Sequence, residues 1–506
     1  DYDAALISEG GGVHARSAKS VAITPQVRAA LGLADDVASL TPTDLVNAVL
    51  KAPVDLVYNG GIGTYVKASS ESHEQVGDRA NDALRVDGRD LRCKVFVEGG
   101  NLGCTQRGRI EYALAGGRIN TDAIDNSAGV DTSDHEVNIK ILLGLAVTEG
   151  ELTTKQRNTL LPQMTDDVAA LVLSDNIYQT QVLSVIGRVA PQLLDAQTRF
   201  MHFLEKAGRL NRDIEFLPND DTLAERRTAG LGLARPEQAV LLAYSKMWLY
   251  DELLASPLPD DPWVATALER YFPTLLRERF AAWMPKHPLK REIIATQVTN
   301  SLVNRVGPSF VYRLGESTGA RPHEVVRACL LAREVFGLPA LWQQVDALDN
   351  QVDDAVQAAL LNDASQQLER GTTWFLRSRH LGEDMAATIA HFAPAVEQLA
   401  AALPTLVERE EAARIDAERE RWAAQRVPAA LAQRAALLDS LVASLDIAEV
   451  AAQSARPVDA AAATYFEIGA RLGLPWLRRK IAELPGDQHW RMLAKAAMLD
   501  DLAKAN

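Results

Sequence analysis

The spacing of apolar residues along the chain changes near residue 145. Before that point, short β-rich runs alternate with stretches that repeat apolar residues at helical spacing. The predicted strands lie at residues 54–58, 94–97 and 119–124, and the predicted helices lie at residues 41–51, 71–85 and 110–114. Strands that alternate with helices indicate an α/β fold, in which helices cover both faces of a parallel sheet.

After residue 145, helical spacing dominates and strand-like alternation is scarce. The clearest helical patterns lie at residues 165–184, 235–255, 263–283, 291–306 and 322–336, and they continue through most of the chain up to Ala505. Proline-containing stretches predict breaks at residues 257–259, 285–288, 307–308 and 404. We therefore predict an α/β domain over residues 1–145, followed over residues 146–506 by one all-helical domain or two helical subdomains.

Composition and charge limit the classes of partner. The 506 residues include 53 lysines and arginines against 67 aspartates and glutamates, which gives a net charge of -14. Such a surface repels polyanions, so neither nucleic acid nor a membrane is an expected partner. No apolar run is long enough to span a bilayer. The three cysteines form no CxxC pair, which favours a reducing, cytoplasmic location.

The start of the chain indicates that it was either processed or cut from a larger protein. It begins with Asp1 and shows neither an initiator methionine nor a signal sequence. The GxGxxG fingerprint and the P-loop, which would hold a pyrophosphate, are both absent from the sequence. If the α/β domain binds a nucleotide, we therefore expect the pyrophosphate turn to lie outside this chain.

Two of the predicted strands end in glycine-rich turns that contain an asparagine. The first strand stops at Asn59-Gly60-Gly61, and the second stops at Glu98-Gly99-Gly100-Asn101. Ligands of open parallel sheets bind beyond the carboxyl ends of the strands, where glycine lets the backbone approach closely. Both turns are therefore candidate ligand-binding segments, although each could also be an ordinary connection between a strand and a helix.

The densest polar cluster spans residues 125–136. Ser133 and Glu136 have the spacing of a capping box, which predicts a helix that begins at Ser133. The free N–H groups of such a helix end could bind a carboxylate. Four of its residues could be considered as metal ligands, namely Asp131, Asp134, His135 and Glu136. Neighbouring residues on a first helical turn point in different directions, however, so we expect no metal site.

Segments of the first domain resemble the large, multidomain bacterial NAD-specific glutamate dehydrogenases. They read VDLVYNGGIGTYVKAS, GDRANDALR and KVFVEGGNLGCTQRGRIEYALAGGRINTDAIDNSAGVDTSDHEVNIKILL. The similarity covers nearly all of residues 1–145, and GLARPEQAVLLAYSK and REIIATQVTNSLVNR extend it into the helical half. Residues 98–101 are also similar to the E-G-A-N turn of the small hexameric glutamate dehydrogenases, with Gly100 in place of alanine. Residues 126–133 are similar to their N-A-G-G-V-x-x-S segment, with Ser-Ala in place of Ala-Gly.

The resemblance implies an NAD site and a substrate contact. The cofactor contacts that it implies are Asn59, Gly60, Gly61, Gly100, Asn101 and Asn126. Asn101 and Asn126 would lie at the nicotinamide and ribose end, and residues 59–61 would lie at the adenosine ribose side. Ser133 would contact a carboxylate of glutamate. The family's catalytic lysine and aspartate would precede residue 1, so no catalytic residue is expected within this chain.

The resemblance further implies that the chain is a fragment of an oxidoreductase. Its fold would be the C-terminal half of a Rossmann-like NAD-binding domain, followed by a large helical domain. The parent enzyme would oxidise L-glutamate with NAD to 2-oxoglutarate and ammonia, whereas this chain alone would be inactive. The expected partners are the substrate, the remaining N-terminal domains of the parent chain and further copies in a homo-oligomer.

Two alternatives remain open. The helical half is more than twice as long as the α/β half and carries no catalytic signature, so it could be an oligomerisation or regulatory module. The parent could also be a dehydrogenase for another amino acid, such as leucine or phenylalanine. Ser133 favours an acidic substrate, because an apolar side chain would leave its hydroxyl without a hydrogen-bond partner.

Overall fold

The computed structural model describes residues 3–484 and 489–504. The chain forms two compact units that are each discontinuous in sequence. Unit 1 comprises Asp1–Leu183, Glu205–Tyr244 and Phe272–Trp283, and unit 2 comprises Ser184–Leu204, Ser245–Tyr271 and Met284–Asn506. The domain division that the sequence predicts at residue 145 remains a prediction. Within the described ranges, no helix combines the length and the apolar character needed to cross a membrane.

The strands are short and form pairs. In chain order they are β1 (Val21–Ala22), β2 (Ser39–Leu40), β3 (Leu56–Asn59), β4 (Val66–Lys67), β5 (Val86–Asp87) and β6 (Val95–Glu98). β1 and β2 are antiparallel, whereas β3 pairs with β6 and β4 pairs with β5 in parallel. The predicted strands at residues 54–58 and 94–97 are thus confirmed with small shifts, and they lie side by side.

Helices contain most of the described residues. Up to residue 206 they are α1 (Pro25–Leu31), α2 (Pro42–Leu50), α3 (His73–Val76), α4 (Gln106–Leu114), α5 (Asp122–Asp125), α6 (Ser127–Thr148), α7 (Thr154–Leu160), α8 (Thr165–Arg188) and α9 (Ala190–Lys206). Up to residue 346 they are α10 (Asp220–Thr228), α11 (Arg235–Leu254), α12 (Ala267–Tyr271), α13 (Thr274–Arg279), α14 (Lys290–Val306), α15 (Phe310–Thr318), α16 (Pro322–Val335) and α17 (Leu338–Asp346).

The remaining helices belong to the C-terminal part of the chain. They are α18 (Asp354–Arg377), α19 (Met385–Leu406), α20 (Arg409–Ala424), α21 (Ala429–Leu437), α22 (Ala443–Ser454), α23 (Val458–Arg471), α24 (Leu474–Ala482) and α25 (His489–Lys504). Short 3-10 helices lie at Ala4–Leu6, Arg79–Asn81, Gly88–Asp90, Leu161–Met164, Leu258–Asp260, Val264–Thr266, Ala281–Lys286, Arg379–Gly382 and Ser440–Val442. The predicted end of the helical pattern, at Ala505, falls outside the described residues.

Several predicted helices are confirmed, and their ends have local causes. The helix predicted at residues 41–51 is α2, where Thr41 Oγ1 accepts a hydrogen bond from the Asp44 amide at 3.1 Å. Thr105 caps α4 in the same way, through the Gly108 amide at 2.9 Å, so this helix begins four residues before the predicted pattern. The helices predicted at residues 165–184, 235–255, 291–306 and 322–336 correspond to α8, α11, α14 and α16.

Two elements predicted in the first 145 residues are wrong. The expected strand at residues 119–124 is reduced to one parallel bridge between Arg118 and Val95, and α5 occupies the positions that follow. Asp122 begins that helix after Thr121, a residue type that favours a helix start over a strand. The expected helix at residues 71–85 stops at the end of α3, because Gly77 adopts a left-handed φ of +78°.

Two further predictions are wrong in the second half of the chain, and a proline is involved in both. The helix expected at residues 263–283 is divided, since Pro273 separates α12 from α13. Pro404 was expected to break a helix, yet it lies inside α19. It stands two residues before the helix ends at Leu406, where its missing N–H removes a single hydrogen bond.

The capping box predicted at Ser133 is wrong because α6 begins six residues earlier, at Ser127. The Asn176 side chain of α8 holds this earlier start, since its Nδ2 donates to Ser127 Oγ at 3.0 Å. Ser133 therefore lies in the second turn of α6 and caps nothing. Its hydroxyl donates instead to the Gly129 carbonyl at 3.5 Å, a weak bond within the helix.

Each unit has an apolar core of its own. In unit 1, α4 packs on β4, and the buried cluster around them is Val66, Val86, Leu91, Cys93, Phe96, Cys104, Tyr112 and Ile119. In unit 2, α16 packs against both α18 and α19. The rings of Phe336, Phe375 and Phe392 are fully buried in unit 2. Unit 1 therefore builds its core partly from strands, whereas unit 2 builds it from helices.

Candidate functional site

The two glycine-rich turns lie next to each other at the carboxyl ends of β3 and β6. Asn59 is paired with Glu98 in register, so the first turn (residues 59–63) and the second turn (residues 99–103) leave the same edge. The Gly100 amide donates to the Asn59 carbonyl at 3.0 Å. A Cβ atom added to Gly100 would lie 2.5 Å from the Gly61 carbonyl oxygen, so glycine is required for this approach.

Asn101 and Asn126 are brought together from positions 25 residues apart. Asn126 stands between α5 and α6, and its Nδ2 donates to Asn101 Oδ1 at 2.5 Å. Asn101 is exposed at the tip of the second turn. Among the described residues, this is the side-chain hydrogen bond that the pair makes, so the Asn101 amide nitrogen and the Asn126 amide oxygen stay available for other partners. The pair therefore offers a donor and an acceptor at the edge where both turns emerge.

Asn59 directs its side chain into the second turn. Its Oδ1 accepts a hydrogen bond from the Gly61 amide at 3.4 Å. Its Nδ2 is buried and has no hydrogen-bond partner among the described residues. A Cβ atom on Gly103 would lie 1.9 Å from this nitrogen. Gly60 and Gly61 are exposed, and no atom lies within 4 Å of the Cβ position of Gly61.

Ser133 is the one predicted site residue that the structure does not join to the others. It is exposed on α6, seven residues after Asn126. Among the described residues, no hydrogen bond links its hydroxyl to either glycine-rich turn. The substrate contact implied for Ser133 thus remains a prediction, and its stated basis in a helix N-terminus does not hold.

Sequence reasoning missed a buried ion pair beneath the second turn. Arg109 donates to both carboxylate oxygens of Glu98, at 2.7 and 2.9 Å, and its Nη2 lies 3.3 Å from Asp122 Oδ1. Burial by itself lowers the pKa of Arg109, but the bonds to Glu98 and its charge outweigh burial and raise that pKa. Burial also raises the pKa of Glu98, against the influence of Arg109. An acidic residue at the end of a strand was the available sequence signal.

Asp125 links this ion pair to α11. Its carboxylate accepts hydrogen bonds from the Glu98 amide at 2.9 Å and from Asn120 Nδ2 at 2.6 Å. Asn120 in turn accepts a bond from Arg235 Nε at 2.5 Å. Burial raises the pKa of Asp125 and lowers that of Arg235 to about 10. Arg235, which sequence analysis identified only as the start of a helix, thus helps to hold the strand-end region.

A second polar group lies on α6 and α8. The ligand atoms of Asp131, His135 and Asp175 all lie within 4.8 Å of one another. Asp131 and His135 are four residues apart and share one helix face, so the argument that neighbouring residues diverge does not apply to them. Burial lowers the pKa of His135 to about 4, which keeps its ring neutral near pH 7. The expected absence of a metal site remains a prediction.

Comparison with known proteins places the chain in a family. Residues 230–506 match the family model "Glutamate dehydrogenase, C-terminal", and residues 1–186 match "Bacterial NAD-glutamate dehydrogenase, catalytic domain". The chain belongs to the glutamate dehydrogenase family. The seven site residues predicted from the sequence all lie in the segment that matches the catalytic-domain model.

Curated relatives extend the similarity over the whole chain. NAD-specific glutamate dehydrogenases of Halomonas elongata and Pseudomonas aeruginosa are 47% and 48% identical over 502 residues. The NAD-specific glutamate dehydrogenase of Mycobacterium tuberculosis is 42% identical over 506 residues. Each alignment covers 99% of this chain and 31% of the relative. The chain thus spans about a third of the length of these relatives.

Proposed function

We propose that this chain supplies the NAD-binding edge and the helical C-terminal part of an enzyme that oxidises L-glutamate to 2-oxoglutarate and ammonia. The observation that carries the proposal is the Asn101–Asn126 pair, which lies above two touching glycine turns at the end of parallel strands. The family membership and the names of the three relatives support the same assignment. NAD, when bound, supplies the hydride acceptor.

Three features of the strand-end region support a fit to NAD. The Cα face of Gly61 is open to a ligand, because no atom of the described residues lies within 4 Å of its Cβ position. The buried Asn59 Nδ2 provides a donor that no described residue uses. The Asn101 and Asn126 amides are neutral, so they can bond to ribose hydroxyls or to a carboxamide without adding charge. We extend the proposal to a Rossmann-like sheet, of which β3 and β6 form one part.

Each predicted site residue then has a task. Asn101 and Asn126 orient the nicotinamide and ribose end of the cofactor. Residues 59–61 of the first turn let the backbone approach the adenosine ribose side, and Gly100 contributes a cofactor contact from the second turn. Ser133 donates its hydroxyl hydrogen to a carboxylate of glutamate. Acid–base chemistry requires groups outside this chain, which is why the isolated chain is expected to show no turnover.

The proposal also includes self-association and a cytoplasmic location. Leu472 and Trp476 are 62% and 58% exposed at the junction of α23 and α24, and such apolar side chains favour a contact with another copy. Size-exclusion chromatography with light scattering measures this directly. A strict monomer at high concentration would argue against an assembly role for unit 2.

The experiment that tests the proposed activity uses the native polypeptide that carries this sequence. It is isolated with an antibody, and NADH formation is followed with L-glutamate, L-leucine or L-phenylalanine as substrate. Of the three amino acids, we expect only L-glutamate to be oxidised by the native polypeptide. The isolated 506-residue chain should show no turnover with any of them. If the native polypeptide preferred leucine or phenylalanine, that amino acid would be assigned as the substrate instead of glutamate. If it oxidised none of the three, the enzyme assignment would be refuted.

The role of Ser133 has a separate test in the same polypeptide. Ser133→Ala should raise the KM for glutamate more than the KM for NAD, because only the substrate loses a hydrogen bond. Ser174→Ala is the matched control, since the Ser174 hydroxyl also bonds to the carbonyl four residues earlier, at 2.8 Å, on a different helix. An unchanged KM for glutamate in Ser133→Ala would remove Ser133 from the site.

A further inference from the structure

The backbone of the second turn is held by two carboxylates. The Leu102 amide donates to Asp122 Oδ2 at 2.8 Å, and the Cys104 amide donates to Glu98 Oε1 at 2.8 Å. Leu102 has a left-handed φ of +58°, a conformation that a branched side chain adopts only when its surroundings impose it. These two acceptors therefore fix the turn on both sides of Gly103.

Both carboxylates share one cation. Arg109 donates to Glu98 through Nε and Nη2 at 2.7 and 2.9 Å, and Nη2 also lies 3.3 Å from Asp122 Oδ1. Glu98 is fully buried and Arg109 is 5% exposed, so neither can touch a ligand at the open edge. A planar guanidinium can serve two carboxylates at once, which an ammonium group cannot do in this geometry.

Arg109 is also connected, through Asp122, to the element that carries Asn126. Asp122 is the first residue of α5, and Asn126 follows the last residue of that helix. Asp122 therefore connects the backbone of the second turn to the element that carries Asn126. Arg109 holds Asp122 from below, so it acts on both sides of the 2.5 Å bond between Asn126 and Asn101.

We propose that Arg109 is a positioning residue, which uses Glu98 and Asp122 to hold Asn101 against Asn126 at the cofactor edge. The inference rests on the proposed function for the identity of the ligand, but the position of the turn is measurable without any ligand. The competing explanation is that the ion pair contributes only general stability, as a buried pair elsewhere in unit 1 would.

Unit 1 contains a matched control for that explanation. Arg226 and Glu237 form a buried ion pair between α10 and α11, in which Arg226 Nη2 donates to Glu237 Oε1 at 2.9 Å. Glu237 also accepts a backbone hydrogen bond, from the Ala234 amide at 2.6 Å. The control thus repeats the chemistry of Arg109 and Glu98 without a bond to either glycine-rich turn.

The experiment compares Arg109→Lys, Asp122→Asn and Arg226→Lys in the native polypeptide that carries this sequence, because the turn that would hold the NAD pyrophosphate is expected outside these 506 residues. Hydrogen–deuterium exchange of the Leu102 and Cys104 amides reports the position of the turn, and a fluorescence titration with NADH reports the site. We expect Arg109→Lys to speed exchange at both amides at least tenfold and to weaken NADH at least tenfold. Asp122→Asn should speed exchange mainly at the Leu102 amide. Arg226→Lys should change neither the exchange rates nor the NADH affinity, even where it lowers the melting temperature as much as Arg109→Lys does.

Each contrary result has a definite meaning. If Arg109→Lys and Arg226→Lys change the turn amides equally, Arg109 is a general stabilising residue and the inference is wrong. If the turn amides exchange faster while NADH affinity stays the same, the positioning role for the cofactor is wrong although the proposed function stands. If the unaltered native polypeptide binds no NADH, its NAD site fails as proposed, and the exchange rates still decide what Arg109 does. Should Arg109→Lys not fold, Asp122→Asn supplies the same comparison.

Discussion

The strand-end region of unit 1 and the helical core of unit 2 use buried side chains for different purposes. Beneath the glycine turns, the most deeply buried groups include Glu98 and Arg109, and their hydrogen bonds lead to the backbone of a loop. In unit 2, the buried groups are rings that pack on one another, with the centroids of Phe375 and Phe392 5.7 Å apart. One region buries charge, whereas the other buries hydrocarbon.

Because the two regions bury different groups, substitutions in them should separate the position of the turn from the stability of the chain. Burying a charged pair adds little net stability, because the loss of hydration offsets most of the attraction. Burying aromatic rings adds stability directly and specifies no loop. A substitution in the helical core should therefore lower the free energy of unfolding and spare the cofactor site. A substitution at the turns should weaken NADH binding more, and cost less stability, than a substitution in the helical core.

The largest effect on stability is expected from Phe375→Ala in α18. Phe375 is fully buried and lies edge-on to Trp374, with ring centroids 5.1 Å apart. Its truncation should lower the free energy of unfolding by about 3–5 kcal/mol, measured by urea denaturation, because a cavity is left. Leu472→Ala, at a residue 62% exposed, is the control and should change it little. A loss below about 1 kcal/mol for Phe375→Ala would contradict the assigned core.

A pH-dependent effect of about 3 kcal/mol is expected from His135 in unit 1. Burial lowers its pKa from 6.5 to about 4, so between these values the unfolded chain binds a proton that the folded chain does not. Stability should therefore fall as the pH drops from 6.5 to 4. Urea denaturation across this range should show a shallower fall in His135→Gln. Parallel curves for the variant and the unaltered chain would contradict the prediction.

His380 in unit 2 sharpens this test, because its sign is opposite. Burial lowers the pKa of His380, but hydrogen bonds to Glu383 at 2.6 Å and Glu449 at 2.8 Å outweigh it and raise the pKa overall. The stability that His380 contributes is full below its unfolded pKa and is lost as the pH rises through its folded pKa. His380→Gln should therefore cost more at pH 6 than at pH 8.

At the turns, Gly100→Ala should cost about 2 kcal/mol of stability, because a methyl group would collide with Gly61. Its Cβ would lie 2.5 Å from the Gly61 carbonyl oxygen, so the two turns must separate. Gly100→Ala should weaken NADH binding by a larger factor than Phe375→Ala does. Gly144→Ala is the control: nothing lies within 4 Å of that Cβ position inside α6, and the change should stabilise the chain. Equal behaviour of the two glycine variants would contradict the contact.

The sequence predicted the two glycine-rich turns at the strand ends well, because the signals for a strand and its end are local. A β-rich run that stops at Asn59-Gly60-Gly61 predicts both a strand and its end, and the pairing of β3 with β6 follows the expected parallel order. The resemblance to the family added Asn101 and Asn126, which the structure places in contact. Gly100 is explained by a close approach of two backbones, which a glycine motif can predict.

The remaining features depend on contacts that no local pattern contains. Arg109 lies eleven residues after Glu98 on another element, so only the packing of α4 against the strands brings them together. Ser133 and Glu136 have the spacing of a cap, but a side chain from α8 holds the helix start at Ser127 instead. In each case a tertiary contact decided between structures that the local sequence allows.

The smallest effect is expected from an exposed ion pair in unit 2, and it completes the contrast with Arg109. Glu467 and Arg471 lie four residues apart on α23, with side chains 62% and 77% exposed. Arg471→Ala should lower the free energy of unfolding by about 0.3 kcal/mol, because solvent screens the pair. Raising the salt concentration should remove this difference, whereas the buried pair at Arg109 should be much less sensitive to salt. If Arg471→Ala also changed exchange at the Leu102 amide, charge anywhere on the chain would influence the turn, and the special position of Arg109 would be lost.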